Sequence, residues 1–180
     1  MMIIGLTGTF GAGKGAVADI LKKNGFQQLV MSDVLREECR KEKIEENRDN
    51  LLAMGNKLRA EFGSGIIMKR LINKAKQEGY KDVIIDGIRS IGEVEELKKS
   101  DGVLIAVDAP LDARYERILK RGTSKDNINF EEFKKQEKNE LNKPGTQLGR
   151  CVDMAEYKII NNGTLEQLEK RVAEILTKLK

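Results

Sequence analysis

The sequence predicts an α/β fold in which a five-stranded parallel β-sheet lies between two layers of helices. The first observation behind this prediction is that short apolar runs rich in β-branched residues alternate with helix-like stretches. Parallel neighbouring strands need long crossovers, usually helices, so the alternation favours a three-layer α/β/α arrangement. The second is a glycine-rich segment at residues 8–15 that separates the first run from a helical pattern. The runs are residues 2–7, 26–31, 82–86, 103–108 and 157–160.

Composition sets limits on the class of protein and on its chemistry. The 180 residues carry 33 Lys and Arg against 29 Asp and Glu, and 39% are hydrophobic, which is typical of a globular chain and not of a disordered one. There is no His, which excludes Ser-His and Cys-His catalysis and His-ligated metal sites. Cys39 and Cys151 are far apart and form no CxxC motif, so neither a disulfide framework nor a zinc-thiolate site is expected.

The spacing of the runs predicts one domain over residues 1–180 with two excursions. The core is expected at residues 1–32, 81–121 and 155–180, a helical insertion at 33–80, and a polar lid region at 122–154. Excursions of this length often carry function, although solvated helices at the sheet edge are the alternative explanation. No apolar run is long enough to cross a bilayer and no leader peptide is evident, so we expect a cytoplasmic protein that binds no membrane.

The glycine-rich segment matches the phosphate-binding pattern GxxxxGK. Backbone N–H groups of such a loop wrap a phosphate, the helix N-terminus adds partial positive charge, and Lys14 adds a full charge. A glycine turn without a ligand is the alternative, but strand, loop, lysine and helix all follow in register. The segment therefore predicts a P-loop NTPase fold with a nucleotide triphosphate, ATP, at Gly8, Thr9, Phe10, Gly11, Ala12, Gly13, Lys14, Gly15 and Ala16.

The residues after the lysine affect how a metal is held. Neither Gly15 nor Ala16 has the hydroxyl that many P-loops place on Mg²⁺, so a carboxylate elsewhere is needed. Asp86 ends the third apolar run, where a carboxylate would face the loop and hold hydrated Mg²⁺ through water. The alternative is an Asp that caps the following turn.

These motifs resemble the nucleoside monophosphate kinases and dephospho-CoA kinases of the P-loop kinase group, over nearly the whole chain. The segments that carry the resemblance are Gly-Ala-Gly-Lys-Gly, Ser-Asp-Val-Leu-Arg at 32–36, Asp-Gly-Ile-Arg at 86–89, and Val-Asp-Ala-Pro at 107–110 followed by two arginines. The resemblance implies a helical acceptor-binding insertion and a short lid. It implies that Arg36 and Arg89 grip the acceptor phosphate, that Arg117 packs on adenine and Arg121 reaches the phosphates. It also implies that the turn from Asn161 to Gly163 borders the base.

The sequence is most similar to dephospho-CoA-kinase-like proteins of archaea and bacteria and to kinase domains fused ahead of deoxycytidylate deaminases. Leu58-Arg59, residues 86–90 and Glu93-Val94-Glu95 carry that similarity, which adds Arg59 to the expected acceptor site. A zinc deaminase cannot be built here because its signature needs His. Familiar lids carry two arginines, whereas residues 130–140 offer Lys134, Lys135 and Lys138, which lack the bidentate fork.

Phosphoryl transfer depends on positioning and on cations more than on a strong base, so a chain without His is competent for it. The expected catalytic residues are Lys14, Asp33, Asp86 and Arg121. Asp33 would orient the acceptor or bind magnesium through water, and it would be the base if the acceptor is a hydroxyl. Exposed ion pairs on helix surfaces are the alternative explanation for Arg36 and Arg59. For Arg117 and Arg121, the alternative is that they lie on a solvated helix face.

The expected function is transfer of the γ-phosphoryl group of ATP to a nucleoside or deoxynucleoside monophosphate, with Mg²⁺. Phosphorylation of dephospho-CoA is a second possibility, and an ATP-binding sensing module with little turnover is a third. The partners are expected to be small-molecule nucleotides. Nucleic acid is not expected, because the +4 net charge is modest and few aromatic residues are available to stack on bases.

Overall fold

The computed structural model describes residues 1–122, 129–142 and 147–179. It shows an all-parallel five-stranded sheet in the order β2-β3-β1-β4-β5, with helices on both sides, the P-loop three-layer α/β/α fold. The strands are β1 (Met2–Gly8), β2 (Gln27–Val30), β3 (Asp82–Asp86), β4 (Val103–Asp108) and β5 (Tyr157–Ile160).

The helices follow the strands in the alternation that the sequence predicts. Three of them fill the excursion between β2 and β3, which was expected to be helical from its charged, periodic pattern. The helices are α1 (Lys14–Lys23), α2 (Met31–Lys41), α3 (Arg48–Phe62), α4 (Ile66–Gln77), α5 (Ile91–Lys99), α6 (Leu111–Arg121), α7 (Phe130–Asn142), α8 (Leu148–Asp153) and α9 (Leu165–Leu179).

The central strands bury alternate side chains on the two faces of the sheet. Ile3, Val83 and Ile85 pack into a cluster with α2, α3, α4, α5 and α8. Ile4 and Ile84 point to the opposite face, where they pack against α1 and α9. Successive side chains of a strand face opposite sides, so continuous apolar runs are needed for a sheet that is covered on both faces.

The strand boundaries differ from the prediction mainly at β2. The predicted run 26–31 is shorter in the structure, because Phe26 precedes the strand and Met31 already begins α2. Both side chains are buried, so their hydrophobicity extends the run beyond the residues that pair with β3. Hydrophobicity reports burial, whereas the strand ends where backbone pairing ends.

The register brings the carboxyl ends of β2, β3 and β1 to one edge of the sheet. Val30 pairs with Asp86, Asp86 pairs with Leu6, and Gly8 lies opposite Val107 of β4. Ligands of open α/β sheets bind in the crevice at this edge. The candidate functional residues therefore meet there.

Part of the predicted lid, residues 123–128 and 143–146, lies outside the described residues. In the described part of the lid, the aromatic rings of Phe130 and Phe133 pack against Tyr115 of α6, with ring centroids 5.2 and 5.6 Å apart. The helix α7 is thereby fixed to α6. Within the described ranges, no helix is both long and apolar enough to span a membrane.

Candidate functional site

The phosphate-binding loop connects β1 to α1. Gly13 precedes the helix with a φ of 97°, in the left-handed region that favours glycine, and it leaves the first helical N–H groups open. A Cβ at Gly13 would lie 2.3 Å from Nδ2 of Asn161, so the loop and the β5–α9 turn pack closely at this glycine. The arrangement is a glycine loop followed by a helix N-terminus, which is suited to an anion.

Lys14 is folded back over the loop. Its Nζ donates hydrogen bonds to the carbonyl oxygens of Gly8 at 2.7 Å and Thr9 at 3.0 Å. Burial lowers the pKa of Lys14 to about 8, against the opposing attraction of Asp86. An ammonium has three donors, so one remains for a phosphate oxygen. A bound anion at the loop would stabilise the protonated, charged form of Lys14, which burial disfavours.

Asp86 ends β3 next to the loop. Burial raises the pKa of its carboxyl group, and the positive charges of Lys14 and Arg89 oppose that rise. Its Oδ1 atom is buried and has no hydrogen-bond partner among the described residues. A buried carboxylate oxygen without a partner is costly, so this atom fits a ligand that donates to it, such as the water shell of Mg²⁺.

The donor set around Asp86 also fits magnesium held mainly by a substrate. In the described ranges, no group of three or more Asp, Glu, Cys or His side chains could hold an ion. Magnesium commonly takes one or two carboxylates together with substrate phosphates and water. The residues present therefore fit a hydrated ion shared between Asp86 and bound phosphates.

Arg117 and Asn161 both bind the loop by its backbone. The Nη1 atom of Arg117 donates to Ala12 O at 3.3 Å and its Nη2 to Asn161 O at 2.9 Å, while Nδ2 of Asn161 donates to Ala12 O at 2.9 Å. The structure thus brings two of the predicted ATP-binding residues together. Gly163 lies in the following turn, where the Gln167 side chain accepts from Thr164 N at 3.1 Å.

Arg121 lies on the same face of α6, one turn after Arg117. Its guanidinium stands 5.0 Å from the centre of the Phe10 ring, which is half exposed at the tip of the loop. The two predicted arginines therefore both lie against the phosphate loop. Their contact with adenine and phosphates stays a prediction.

A third arginine of α6, Arg114, was not predicted from the sequence. Its Nε donates to Ala109 O at 2.8 Å, and its Nη1 donates to Phe10 O at 3.5 Å and to the Glu137 carboxylate of α7. The side chain of Arg114 is only 8% exposed. It connects the loop to the lid helix, and its spacing three residues before Arg117 could have indicated it.

Asp108 was also missed as a site residue. It ends β4 and accepts hydrogen bonds from the hydroxyl of Thr9 at 2.7 Å and from Ala109 N at 2.8 Å. Its position at the carboxyl end of a strand is the same pattern that led to Asp86. Asp108 fixes the start of the loop, whereas one oxygen of Asp86 has no partner in the part of the chain that the structure describes.

We expect that replacing Arg114 by Met will lower the free energy of unfolding by about 2–4 kcal/mol, because it leaves the Glu137 carboxylate without its partner. Chemical denaturation measures the change. Lys158→Met is the control, since Lys158 and Asp153 form an exposed pair at 3.9 Å and should lose less than about 0.5 kcal/mol. Equal losses of unfolding free energy in the two variants would contradict the role of Arg114 and Glu137 as a buried, stabilising pair.

The predicted acceptor residues fall into two places. Asp33 and Arg36 lie in the first turns of α2, where Nη1 of Arg36 binds Oδ1 of Asp33 at 2.8 Å and Oγ of Ser32 at 2.8 Å. The Asp33 side chain is 61% exposed. Arg59 instead pairs with the buried carboxylate of Glu93, so it lies beside the turn that carries Arg89.

The predicted lid lysines lie on α7. Lys134 and Lys135 are exposed, and Lys134 pairs with Glu131 of its own helix at 3.5 Å. Lys138 is also exposed. Their approach to a transferring phosphoryl group stays a prediction.

Gly15, the second residue of α1, has room for a side chain, because an ideal Cβ there meets no atom of the described residues within 4 Å. We expect Gly15→Ser to retain the fold and to lower the Mg²⁺ concentration for half-maximal ATP binding roughly threefold or more, because the hydroxyl can join the ion's ligands. Calorimetric Mg²⁺ titrations with ATP measure this. Gly15→Ala is the matched control, and equal Mg²⁺ dependence in both variants would contradict the prediction.

The chain is similar to known proteins in sequence. A family model described as an AAA domain matches residues 4–142. A UPF0200 protein of Sulfurisphaera tokodaii is 37% identical over 178 residues, covering 98% of this chain and 97% of the relative.

Two solved structures share the fold. Shikimate kinase from Acinetobacter baumannii, in complex with shikimate, matches with a TM-score of 0.65 and 18% identity, covering 99% of this chain and 94% of that chain. Dephospho-CoA kinase from Campylobacter jejuni matches with a TM-score of 0.56 and 15% identity, covering 99% of this chain and 98% of that chain. At this identity the likeness shows a P-loop kinase-like fold and no substrate.

Proposed function

The chain belongs to the UPF0200 family, and from its P-loop kinase-like fold we propose that it is an ATP- and Mg²⁺-dependent phosphotransferase. The proposed acceptor is a small nucleotide, a nucleoside or deoxynucleoside monophosphate. The observation that carries the proposal is a lysine on a phosphate-binding loop, Lys14, together with Asp86, whose buried Oδ1 has no hydrogen-bond partner among the described residues. A cation and an open carboxylate at the mouth of the loop are what transfer of a γ-phosphoryl group needs.

The chain's own groups would act mainly by position and charge. N–H groups of the loop and Lys14 would hold the β- and γ-phosphates, and Asp86 would hold hydrated Mg²⁺ through water. When bound, Mg²⁺ neutralises charge on the phosphate oxygens. An acceptor oxygen forms a bond to the γ-phosphorus while the bond to the bridging oxygen breaks, and ADP leaves. Arg89 lies within electrostatic range of both Lys14 and Asp86, so it would stabilise charge on that phosphoryl group.

The acceptor side distinguishes two candidate reactions. A monophosphate acceptor presents an oxygen that is already anionic, so it needs cations such as Arg36 and Arg89 and no base. A hydroxyl acceptor, as in dephospho-CoA, needs a base, and the exposed Asp33 carboxylate in the first turn of α2, just after β2, supports this second candidate.

The test is ADP release from ATP and Mg²⁺ across all ribo- and deoxynucleoside monophosphates and dephospho-CoA, with Lys14→Ala as the blank. Stimulation by a monophosphate that the blank abolishes supports the first candidate. Stimulation by dephospho-CoA alone, lost in Asp33→Asn, supports the second. ATP binding without stimulation by any acceptor would contradict both and favour a sensing module, which the lysine-rich lid and Ala16 would suit.

A further inference from the structure

The first turn of α5 contains a buried carboxylate that takes no direct part in the phosphate site. The Glu93 side chain is 1% exposed. Its Oε2 accepts hydrogen bonds from the backbone N–H groups of Arg89 at 2.9 Å and Ser90 at 3.1 Å, and Ser90 Oγ accepts from Glu93 N at 3.4 Å. Ser90 and Glu93 thus form a capping box. The carboxylate holds the backbone of Arg89, three residues after Asp86.

The second oxygen of Glu93 is bound from a distant helix. Nε and Nη2 of Arg59, on α3, donate to Oε1 at 3.2 and 2.7 Å. A capping box on an exposed helix needs no counter-charge, whereas a fully buried carboxylate does. Arg59 supplies that charge, so α3 is joined through Glu93 to the turn after β3.

A glycine inside α3 makes room for this pair. Gly55 lies one turn before Arg59, and a Cβ there would stand 2.8 Å from Nη1 of Arg59. Glycine lowers the stability of a helix interior relative to alanine. Its presence at a buried position is explained here by the guanidinium that packs over its Cα.

The Arg89 turn is held from the opposite side as well. Gln147 N donates to Arg89 O at 2.8 Å, and Ile91 N donates to Oε1 of Gln147 at 3.4 Å. Both backbone groups of Arg89 are therefore fixed. The turn that leads to Arg89 starts at the carboxyl edge of the sheet, where Gly87 N and Ile88 N donate to Leu6 O of β1 at 3.2 and 3.1 Å, three residues or fewer from Asp86. Arg89 therefore lies at the phosphate end of the site.

We propose that Glu93 is a positioning residue, held in place by Arg59 over Gly55, that sets the placement of Arg89 for the transferring phosphoryl group. Arg59 then acts through Glu93 and not by touching the acceptor. The catalytic readout of this proposal rests on the proposed phosphotransferase function. A second readout, below, does not.

The kinetic test is a double-mutant cycle between Glu93 and Arg89. We expect Glu93→Gln to lower kcat/KM roughly 10- to 100-fold, because the amide cannot satisfy Arg59 and the turn together. Glu95→Gln, exposed on the same helix, should change it less than about twofold. In an Arg89→Ala background, Glu93→Gln should cost less than about twofold more, since its effect passes through Arg89. If the separate losses in kcat/KM of Glu93→Gln and Arg89→Ala multiply in the double variant, the proposal is overturned.

A second variant tests the same connection without removing a charge. Gly55→Ala should raise helix propensity yet lower kcat/KM, because the new methyl group displaces the Arg59 guanidinium. Gly149→Ala is the matched control, since the nearest described atom to a Cβ there is Leu141 O at 3.8 Å. Full activity in Gly55→Ala would overturn the proposal.

Hydrogen exchange in the ligand-free protein separates this proposal from the proposed function. The Arg89 and Ser90 amides should exchange at least roughly tenfold faster in Glu93→Ala and in Gly55→Ala than in the parent protein. Faster exchange with no acceptor-stimulated turnover would leave the positioning intact and contradict the phosphotransferase. Turnover with unchanged exchange would overturn the positioning role.

Discussion

Lys14→Met is expected to lower kcat at least roughly 10³-fold while leaving the protein as stable as before, or more stable. The loss is expected because Lys14 is the charged group of the loop that would stabilise negative charge on the oxygens of the transferring phosphoryl group. A loss of this size corresponds to about 4 kcal/mol of transition-state stabilisation. The measurement is ADP release with the stimulating acceptor, accompanied by thermal melting.

The expected stability of Lys14→Met follows from the burial of the ammonium. The pKa of Lys14 is about 8 in the folded protein and 10.5 in a model peptide, so the unfolded chain binds more protons between these values. Stability therefore rises with pH from about 8 to 10.5, and at pH 7 the buried charge costs up to about 3 kcal/mol. Two lost hydrogen bonds to the loop offset part of this gain, at about 1 kcal/mol each.

Lys14→Met has two controls, another lysine of α1 and the pH dependence of melting that Lys14 itself causes. Lys22→Met, at an exposed position of α1 paired with Asp19 at 2.6 Å, should leave turnover and melting nearly unchanged. In the parent protein, the rise of melting temperature between pH 8 and 10 should exceed that of Lys14→Met. A large loss of stability in Lys14→Met would contradict the burial cost.

Asp86→Asn is expected to lower Mg²⁺-dependent turnover roughly 10²- to 10³-fold without unfolding the protein. The amide has the shape of the carboxylate but not the charge that would hold hydrated Mg²⁺. Because burial raises the pKa of Asp86, the ionised form weakens folding above its unfolded pKa, and the neutral amide removes that penalty. The variant loses the attraction of Lys14, so we expect little net change in melting temperature.

The matched control for Asp86→Asn lies at the other end of β3. Asp82 accepts a hydrogen bond from Met2 N at 3.1 Å, far from the carboxyl edge, and Asp82→Asn should retain Mg²⁺-dependent turnover. Calorimetric titration of Mg²⁺ with ATP in both variants measures the effect directly. Equal Mg²⁺ dependence in Asp86→Asn and the parent protein would contradict the assigned role.

Much of the fold could be predicted because local patterns decided it. The runs at 82–86, 103–108 and 157–160 coincide with β3, β4 and β5, since alternating turn residues and β-branched runs leave little choice of boundary. The loop from Gly8 to Lys14 and the helix after it could be predicted equally well. The glycine spacing, the lysine and the helix that follows are all set by residues close together in the sequence.

The candidate site was less predictable where partners are distant in sequence. The family resemblance implied that Arg59 binds the acceptor, but its partner is Glu93, 34 residues later, and that contact exists only once folding brings α3 next to the start of α5. Glu93 could have been found from the Ser90–Glu93 spacing of a capping box. No pattern in the sequence indicated that its carboxylate would be buried.

The sequence by itself determined the parallel sheet, the phosphate loop and the position of Asp86 at a strand end, because each follows from local spacing and side-chain chemistry. Only the tertiary structure decided which charges meet. Arg114 joins the loop to α7. Across residues 1–122, 129–142 and 147–179, the buried Oδ1 of Asp86 has no hydrogen-bond partner, whereas Asp108 accepts from Thr9. Burial and long-range pairing fix the energy of a charge, and both depend on segments that are brought together only when the chain folds.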